Sequence, residues 1–358
     1  MKGAAIGAVL LAAAIPVAGS ATPPPEVVAS IKARAVEAGF DGAILIGEAD
    51  GSSQILTFGR YPADPRAIWR WASITKQLTA VLAMQEVAAG RLDLDAPVSR
   101  YWPNWKSPNA GTIRIRDLML HNSGLPQPDD SAPDKDGVPG FYRAAAAAPS
   151  DSANGFCAGT PTAKAPAKFD YNNCDSIVLG EVLARITGKP FERLLEERIV
   201  RQLGLKIVGM FHIGEPAKGH VRPTGEFADV DGMINLGVYG ASAGVYGTIA
   251  DLWVFDRALL DGKLLSRNQS ELMWKAHRAN GFHGFFQWVY PSRLQGCPDP
   301  VRIVERQGLV GGIELRNYIL PESGRALIMF SRHRPTNLGD PWESKGFAFD
   351  LLSKVECR

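Results

Sequence analysis

From Pro25 the chain places Val27, Val28, Ile31, Ala35, Val36 and Phe40 at close to helical spacing, which predicts a helix with one apolar face. Gly42-Ala43-Ile44-Leu45-Ile46-Gly47 and Gln54-Ile55-Leu56-Thr57-Phe58 then flank Ala49-Asp50-Gly51, the pattern of strand, turn and strand. A segment opening at Ser73 (Leu78, Val81, Leu82, Met84, Val87) reads as a well-buried helix ending at Gly90. Helical spacing returns between Ser176 and Leu205 through Leu179, Val182, Leu183, Ile186 and Phe191. Thr248 with Asp251 three residues on resembles a capping box before a helix over Leu252 to Leu260. Between these helices, Pro126 to Ala167 is rich in Pro, Asp, Ala, Gly and Ser. It reads as a long surface excursion around a short helix at Ala144 to Ala148, of the kind that shapes a substrate mouth.

The tail changes period. Phe285-Phe286-Gln287-Trp288-Val289-Tyr290, Val301 to Glu305, Leu315 to Leu320 and Ala326 to Ser331 are separated by Gly, Pro, Asp and Ser, with a last helix near Gly346 to Val355. Strands this close, joined by turns, predict an antiparallel sheet.

At the start, Met1-Lys2, an uncharged run from Gly3 to Val17 and the small residues Ala18-Gly19-Ser20-Ala21 read as a secretory signal over 1–21. The catalytic part is then expected outside the cytoplasm, periplasmic or secreted, with no stable membrane span once the signal is removed. Cys157, Cys174, Cys297 and Cys357 form an even set in a compartment where disulfides persist. Local pairing, Cys157 with Cys174 and Cys297 with Cys357, is one of three connectivities; four free buried thiols are the alternative. A composition of 46% hydrophobic and 21% charged residues is that of an ordinary globular protein, and a net charge of +2 leaves no electrostatic footprint for nucleic acid. The expected partner is a small molecule or a peptide.

Three short segments carry candidate chemistry. Ser73-Ile74-Thr75-Lys76 sits where the extended Ile68-Trp69-Arg70-Trp71 gives way to a helix, so the i and i+3 side chains share a face and the ammonium stands beside the hydroxyl. A desolvated lysine can take the proton that makes a serine hydroxyl a poor nucleophile. A capping Ser73 with a solvated Lys76 is the plainer alternative. Tyr171-Asn172-Asn173 is the one Y-x-N of the chain. A tyrosine whose phenolate is stabilised by nearby cations can exchange protons with a serine, and Asn173 can donate to a substrate carbonyl or hold Lys76. Taken alone, the segment is a turn with a packed tyrosine. Arg306-Gln307-Gly308-Leu309-Val310-Gly311-Gly312 follows a strand; the glycine lets a substrate approach the strand edge and the cation attracts a carboxylate, or the segment is a bulged turn.

Together these segments resemble the serine β-lactamase and penicillin-binding protein superfamily, most closely the class C β-lactamase-like branch of D-aminopeptidases, carboxypeptidases and esterases. Trp71-Ala72-Ser73-Ile74-Thr75-Lys76-Gln77 resembles the nucleophile segment, and Gly90-Arg91-Leu92-Asp93-Leu94-Asp95-Ala96-Pro97-Val98 the stretch that follows it. Ile115-Arg116-Asp117-Leu118-Met119-Leu120-His121-Asn122-Ser123-Gly124-Leu125 and Ser242-Ala243-Gly244-Val245-Tyr246-Gly247-Thr248 are similar to further recurring segments. The resemblance implies an α/β (α+β) fold, an antiparallel sheet with helices on both faces (about 26–70 and 245–358) and a mostly helical part carried between them (about 71–244). It implies an acyl-enzyme on Ser73, with Lys76 and Tyr171 sharing the proton transfers and Asn173 near the substrate. It also implies an oxyanion hole from the amides of Ser73 and Leu309, and no cofactor. The departure is at Arg306-Gln307, where the family usually has lysine or histidine and then a small or hydroxyl residue. Arginine keeps the charge but does not give up its proton, so the expectation is that it binds a substrate carboxylate without shuttling protons. Gln307 and Gly308 complete the expected substrate edge.

Other readings are open on sequence grounds. Gly240-Ala241-Ser242-Ala243-Gly244 fits the nucleophile elbow G-x-S-x-G, although no strand leads into it and the next helix begins near Thr248. The histidines form no H-x-H or H-E-x-x-H pair, which argues against a metal hydrolase. A penicillin-recognising fold that has lost turnover and serves as a cell-wall sensor or binding module is the non-enzymatic alternative.

Overall fold

The computed structural model describes residues 23–59, 64–135, 137–143, 149–215, 218–224, 231–332 and 338–358. The expected signal and the expected helix at Ala144 to Ala148 lie outside the described residues.

Helix α1 (Pro25–Glu37) starts with proline at N1, where the missing N–H costs nothing, and buries Val27, Val28, Ile31 and Ala35. It stops three residues short of the expected end, because the chain turns through Gly39 (φ +62°) to bring Phe40 back onto the core. Strands β1 (Gly42–Gly47) and β2 (Ser53–Phe58) form the expected hairpin. Short strands β3 (Trp69–Arg70), β4 (Gly209–Met210) and β5 (Val245–Gly247) make a small sheet of order β3-β5-β4. The main sheet is completed by β6 (Trp288–Ser292), β7 (Val301–Val310), β8 (Ile313–Leu320) and β9 (Arg325–Ser331), in the order β2-β1-β9-β8-β7-β6. Every neighbour in it is antiparallel. Because β1 pairs with β9, the first and last strands of the main sheet close it together.

The sheet is buried on both faces, which is why β1 reads as an unbroken apolar run. On one face lie α1 and the C-terminal helix α5 (Phe347–Glu356), with Phe40 stacked on Phe347 at 5.3 Å. On the other lie α2 (Thr75–Ala88) and α4 (Ile249–Leu260), which share a core with Leu45, Val304, Leu315, Ile319 and Phe330. The capping box of Thr248 and Asp251 starts α4 as expected. A further helix, α3 (Asn173–Thr187), packs against α2 and starts at the Asn172 cap, whose side chain accepts from the Cys174 amide. Among the described residues no helix is long and apolar enough to cross a membrane.

The expected bulged turn at Arg306–Gly312 is a strand: β7 runs straight through Arg306 to Val310, and only Gly311 and Gly312 turn. Both have positive φ (51° and 80°), the conformation a two-residue hairpin of this twist demands. Beyond Glu305 the strand has no strand partner on its β6 side among the described residues. That open edge is where the site is built.

Both local disulfides are formed, Cys157 with Cys174 and Cys297 with Cys357. The first spans 17 residues and anchors the first turn of α3 immediately after Asn173. Closing a loop of that length is worth about 3 kcal/mol in the chain-entropy picture. Replacing Cys157 and Cys174 together by alanine is therefore expected to lower the melting temperature by roughly 4 °C in a chain of this size. Turnover should fall with it, because Tyr171 and Asn173 lose their tether. Scanning calorimetry and ester hydrolysis check this; an unchanged Tm and rate would show that the bond anchors nothing.

Candidate active site

Ser73 lies in a short 3-10 turn, Ala72–Ile74, that leads into α2. The turn is held on the side of β5: the Trp71 amide donates to Val245 O at 2.9 Å, and the Val245 amide donates to Thr75 Oγ1 at 3.1 Å. Ala72 sits at φ +47°, an uncommon conformation for a residue with a Cβ, which throws Ser73 out of the helix line. Ser73 stays half-buried while its neighbours are sealed.

Lys76 is fully buried, and its three ammonium hydrogens have three acceptors. These are Ser73 Oγ at 3.3 Å, Asn173 Oδ1 at 2.6 Å and the Ser242 carbonyl at 3.1 Å. Burial pulls its pKa down to about 8, with Arg306 repulsion adding to the fall and Tyr171 opposing it. A lysine in this state holds its proton less tightly than a solvated one. The solvated lysine of the plainer reading is excluded by its burial.

Tyr171 brings its hydroxyl between the serine and a cation. It donates to Ser73 Oγ at 2.7 Å and accepts from Arg306 Nη2 at 2.7 Å. Lys76 Nζ lies 4.9 Å from the centre of its ring. Burial pushes the phenol up, but Arg306 and Lys76 pull it below the ordinary tyrosine value. Two cations thus stabilise the phenolate in a water-poor site.

Arg306 is held by partners within the protein. It is 2% exposed, and it donates to Tyr171, to Phe286 O at 3.2 Å and to Gln307 O at 3.0 Å, with its guanidinium over the rings of Tyr171 and Trp288. The reason is the pleat. Arg306 and Gly308 point to the face that carries the nucleophile turn, while Gln307 and Leu309 point to the other. Gln307 is likewise held within the protein: its amide nitrogen donates to Glu305 at 2.9 Å and reaches Asp340 at 3.5 Å. Gly308 is needed for closeness, since a Cβ there would stand 2.7 Å from the Trp71 carbonyl oxygen. Val310 and Ile313 flank the two-residue turn as a hydrogen-bonded pair, so alternation turns the Leu309 N–H away from β8 to the open edge.

Asn173 holds Lys76, the second of its two expected options, and its Nδ2 donates to Tyr142 Oη at 2.8 Å. Tyr142, stacked on Tyr239 at 4.5 Å, had no sequence signal. Neither did the Ser242 carbonyl, because G-x-S-x-G drew attention to the wrong atom. The Ser242 hydroxyl is fully buried and donates to Tyr239 O at 2.7 Å; Ser242 ends a 3-10 turn (Leu236–Ser242) broken at Gly240, and the next α-helix begins only at Ile249.

With this geometry in place, comparison with known proteins is decisive on family. The beta-lactamase family model matches residues 27–341. The chain belongs to the beta-lactamase family. Among relatives of this beta-lactamase family member, it is 26% identical over 266 residues to the putative penicillin-binding protein PbpX of Bacillus subtilis, covering 71% of this chain and 58% of that protein. It is 29% identical over 278 residues to the D-alanyl-D-alanine-carboxypeptidase/endopeptidase AmpH of Escherichia coli, covering 72% and 68%. It is 27% identical over 222 residues to the esterase EstB of Burkholderia gladioli, covering 53% and 56%. The chain thus spans little more than half the length of the Bacillus and Burkholderia proteins. A D-amino acid amidase from Ochrobactrum anthropi shares the fold with a TM-score of 0.74 at 21% identity, over 92% of this chain and 97% of that one. A penicillin binding protein from Bacillus halodurans does so with 0.69 at 20%, over 91% and 98%.

Proposed function

We propose that this beta-lactamase family member is an exported serine hydrolase that carries an acyl group on Ser73, taken from a small ester, a D-amino-acid peptide or a β-lactam. The observation that carries the reading is the Tyr171 hydroxyl, 2.7 Å from Ser73 Oγ and 2.7 Å from a buried guanidinium. Ionised between Arg306 and Lys76, Tyr171 takes the proton of Ser73 as Oγ attacks the carbonyl carbon. The oxyanion that forms is received by the Ser73 and Leu309 amides, each such donor being worth roughly 3 to 4 kcal/mol. The phenol then hands its proton to the departing oxygen or nitrogen, and the same pair activates water to free Ser73. Arg306 in this scheme is a fixed charge for Tyr171. The names of the carboxypeptidase, esterase and amidase relatives support acyl transfer as the reaction class. Two disulfides and the leader-like start support an oxidising compartment, periplasmic or secreted.

A panel of p-nitrophenyl butyrate, D-alanyl peptides and a chromogenic cephalosporin, run on the purified protein, tests the reading. Turnover of at least one of them, lost in Ser73→Ala, is the expected result. Stable acylation with no release of product would overturn it in favour of a non-catalytic cell-wall sensor.

A further inference from the structure

Behind Tyr171 lies a buried cluster that the proposed chemistry does not use. His121 is 1% exposed and stands at φ +56°, a conformation histidine tolerates better than most residues with a Cβ. Its contacts bracket Tyr171 from three directions. The His121 carbonyl accepts the Asp170 amide at 2.9 Å, its Nδ1 accepts the Asn172 amide at 3.2 Å, and its ring packs on the Tyr171 ring with centroids 4.7 Å apart. One residue therefore grips the backbone on both sides of the tyrosine and the ring between. The imidazole is itself held: Asp175, in the first turn of α3, meets Nδ1 at 2.7 Å and accepts from the Ser123 hydroxyl. Ser, His and Asp occur together here, but Ser123 bonds the carboxyl and not the imidazole, and all three are buried. The cluster has no nucleophile.

We propose that His121, fixed by Asp175 and Ser123, is a positioning residue that sets the Tyr171 hydroxyl between Ser73 and Arg306; this rests on the acyl-transfer reading above. Nδ1 meets the Asn172 N–H at 3.2 Å and the Asp175 carboxyl at 2.7 Å, two contacts on one ring nitrogen that fix the plane of the imidazole. Burial pushes Asp175 well up and His121 well down, which favours the neutral form of each. The groups facing the imidazole are Asp175 from α3, His283 from the segment before β6, Lys76 from α2, Arg306 from β7 and Tyr171. A neutral support adds no charge to the two cations that tune the phenol.

His121→Gly tests the proposal, because glycine adopts φ +56° freely and leaves a ring-sized space. A displacement of about 1 Å at a reacting group costs on the order of 100-fold. The expected result is a fall in kcat of about 30- to 100-fold with KM within about threefold, and partial recovery of kcat on adding imidazole. His121→Asn, which keeps an acceptor and tolerates the same backbone, stands in if the glycine variant does not fold, and its kcat should lie between the two. A kcat within about threefold of the parent in the folded variant, or a loss that imidazole leaves untouched, overturns the proposal. Ser73→Ala and Tyr171→Phe assayed alongside separate the two failures: if these retain activity the acyl-transfer reading falls, whereas if only the His121 variants retain it the positioning role alone falls.

Discussion

Ser73→Ala should lower kcat/KM for p-nitrophenyl butyrate by about 10⁴- to 10⁶-fold, the loss met when a covalent nucleophile is removed from a site whose other parts remain. The fold should not notice. Ser73 Oγ is bonded to Lys76 and Tyr171, and after truncation Lys76 keeps Asn173 and the Ser242 carbonyl while Tyr171 keeps Arg306. The matching change at the other candidate serine has the opposite signature. Ser242→Ala deletes one buried hydrogen bond, to Tyr239 O, so it should cost about 1 kcal/mol of stability and leave turnover within a few-fold. Urea unfolding beside steady-state kinetics on both variants distinguishes the two serines; strong loss of activity on the Ser242 change alone would reverse their assignment.

Arg306→Met comes next in size. The guanidinium is buried against the phenol and, with Lys76, holds Tyr171 below the ordinary tyrosine range in opposition to burial. A hydrogen bond to a charged group is worth about 1.5–3 kcal/mol, so kcat/KM at pH 7 should fall roughly 10- to 150-fold. The direction with pH is fixed. A base that must be deprotonated gives activity that rises through its pKa, and removing Arg306 raises that of Tyr171. It also relieves the repulsion that helps to depress Lys76 from 10.5 to about 8. The Tyr171 change moves the acidic limb of the profile to higher pH, while the Lys76 change keeps that cation charged over a wider range. Raising the pH should then restore part of the loss. Arg306→Lys, which keeps the charge but not the fork, should lie between. An acidic limb that stays in place would mean that Arg306 does not act through Tyr171.

Much of the fold was legible because its elements repeat a simple period. The β1–β2 hairpin, α1, the capped α4 and the closely spaced tail strands each carry their pattern within a dozen residues, and each is found close to where it was read. Cys157–Cys174 and Cys297–Cys357 followed from proximity along the chain. Arg306-Gln307-Gly308 was harder, since polar residues and a glycine in a row suggest a turn. They form a strand because each has a long-range reason: Arg306 is satisfied by Tyr171 and Phe286 O, Gln307 by Glu305 and Asp340, and Gly308 by the need to touch Trp71. Ser73, Lys76, Tyr171 and Asn173 meet as their motifs implied. What each side chain bonds was invisible where the partner is a backbone carbonyl, as with Ser242, or lies in an irregular segment, as with Tyr142. His121 sat in a segment whose text was noticed but whose chemistry appears only with α3 folded against it.

Treating the protein with a fluorophosphonate and mapping the adduct by peptide mass spectrometry tests the central claim most directly. One adduct per chain on the peptide bearing Ser73, absent from Ser73→Ala and slowed in Tyr171→Phe, is the predicted result. An adduct on Ser242 or any other serine, or labelling that survives the loss of Ser73, would contradict it.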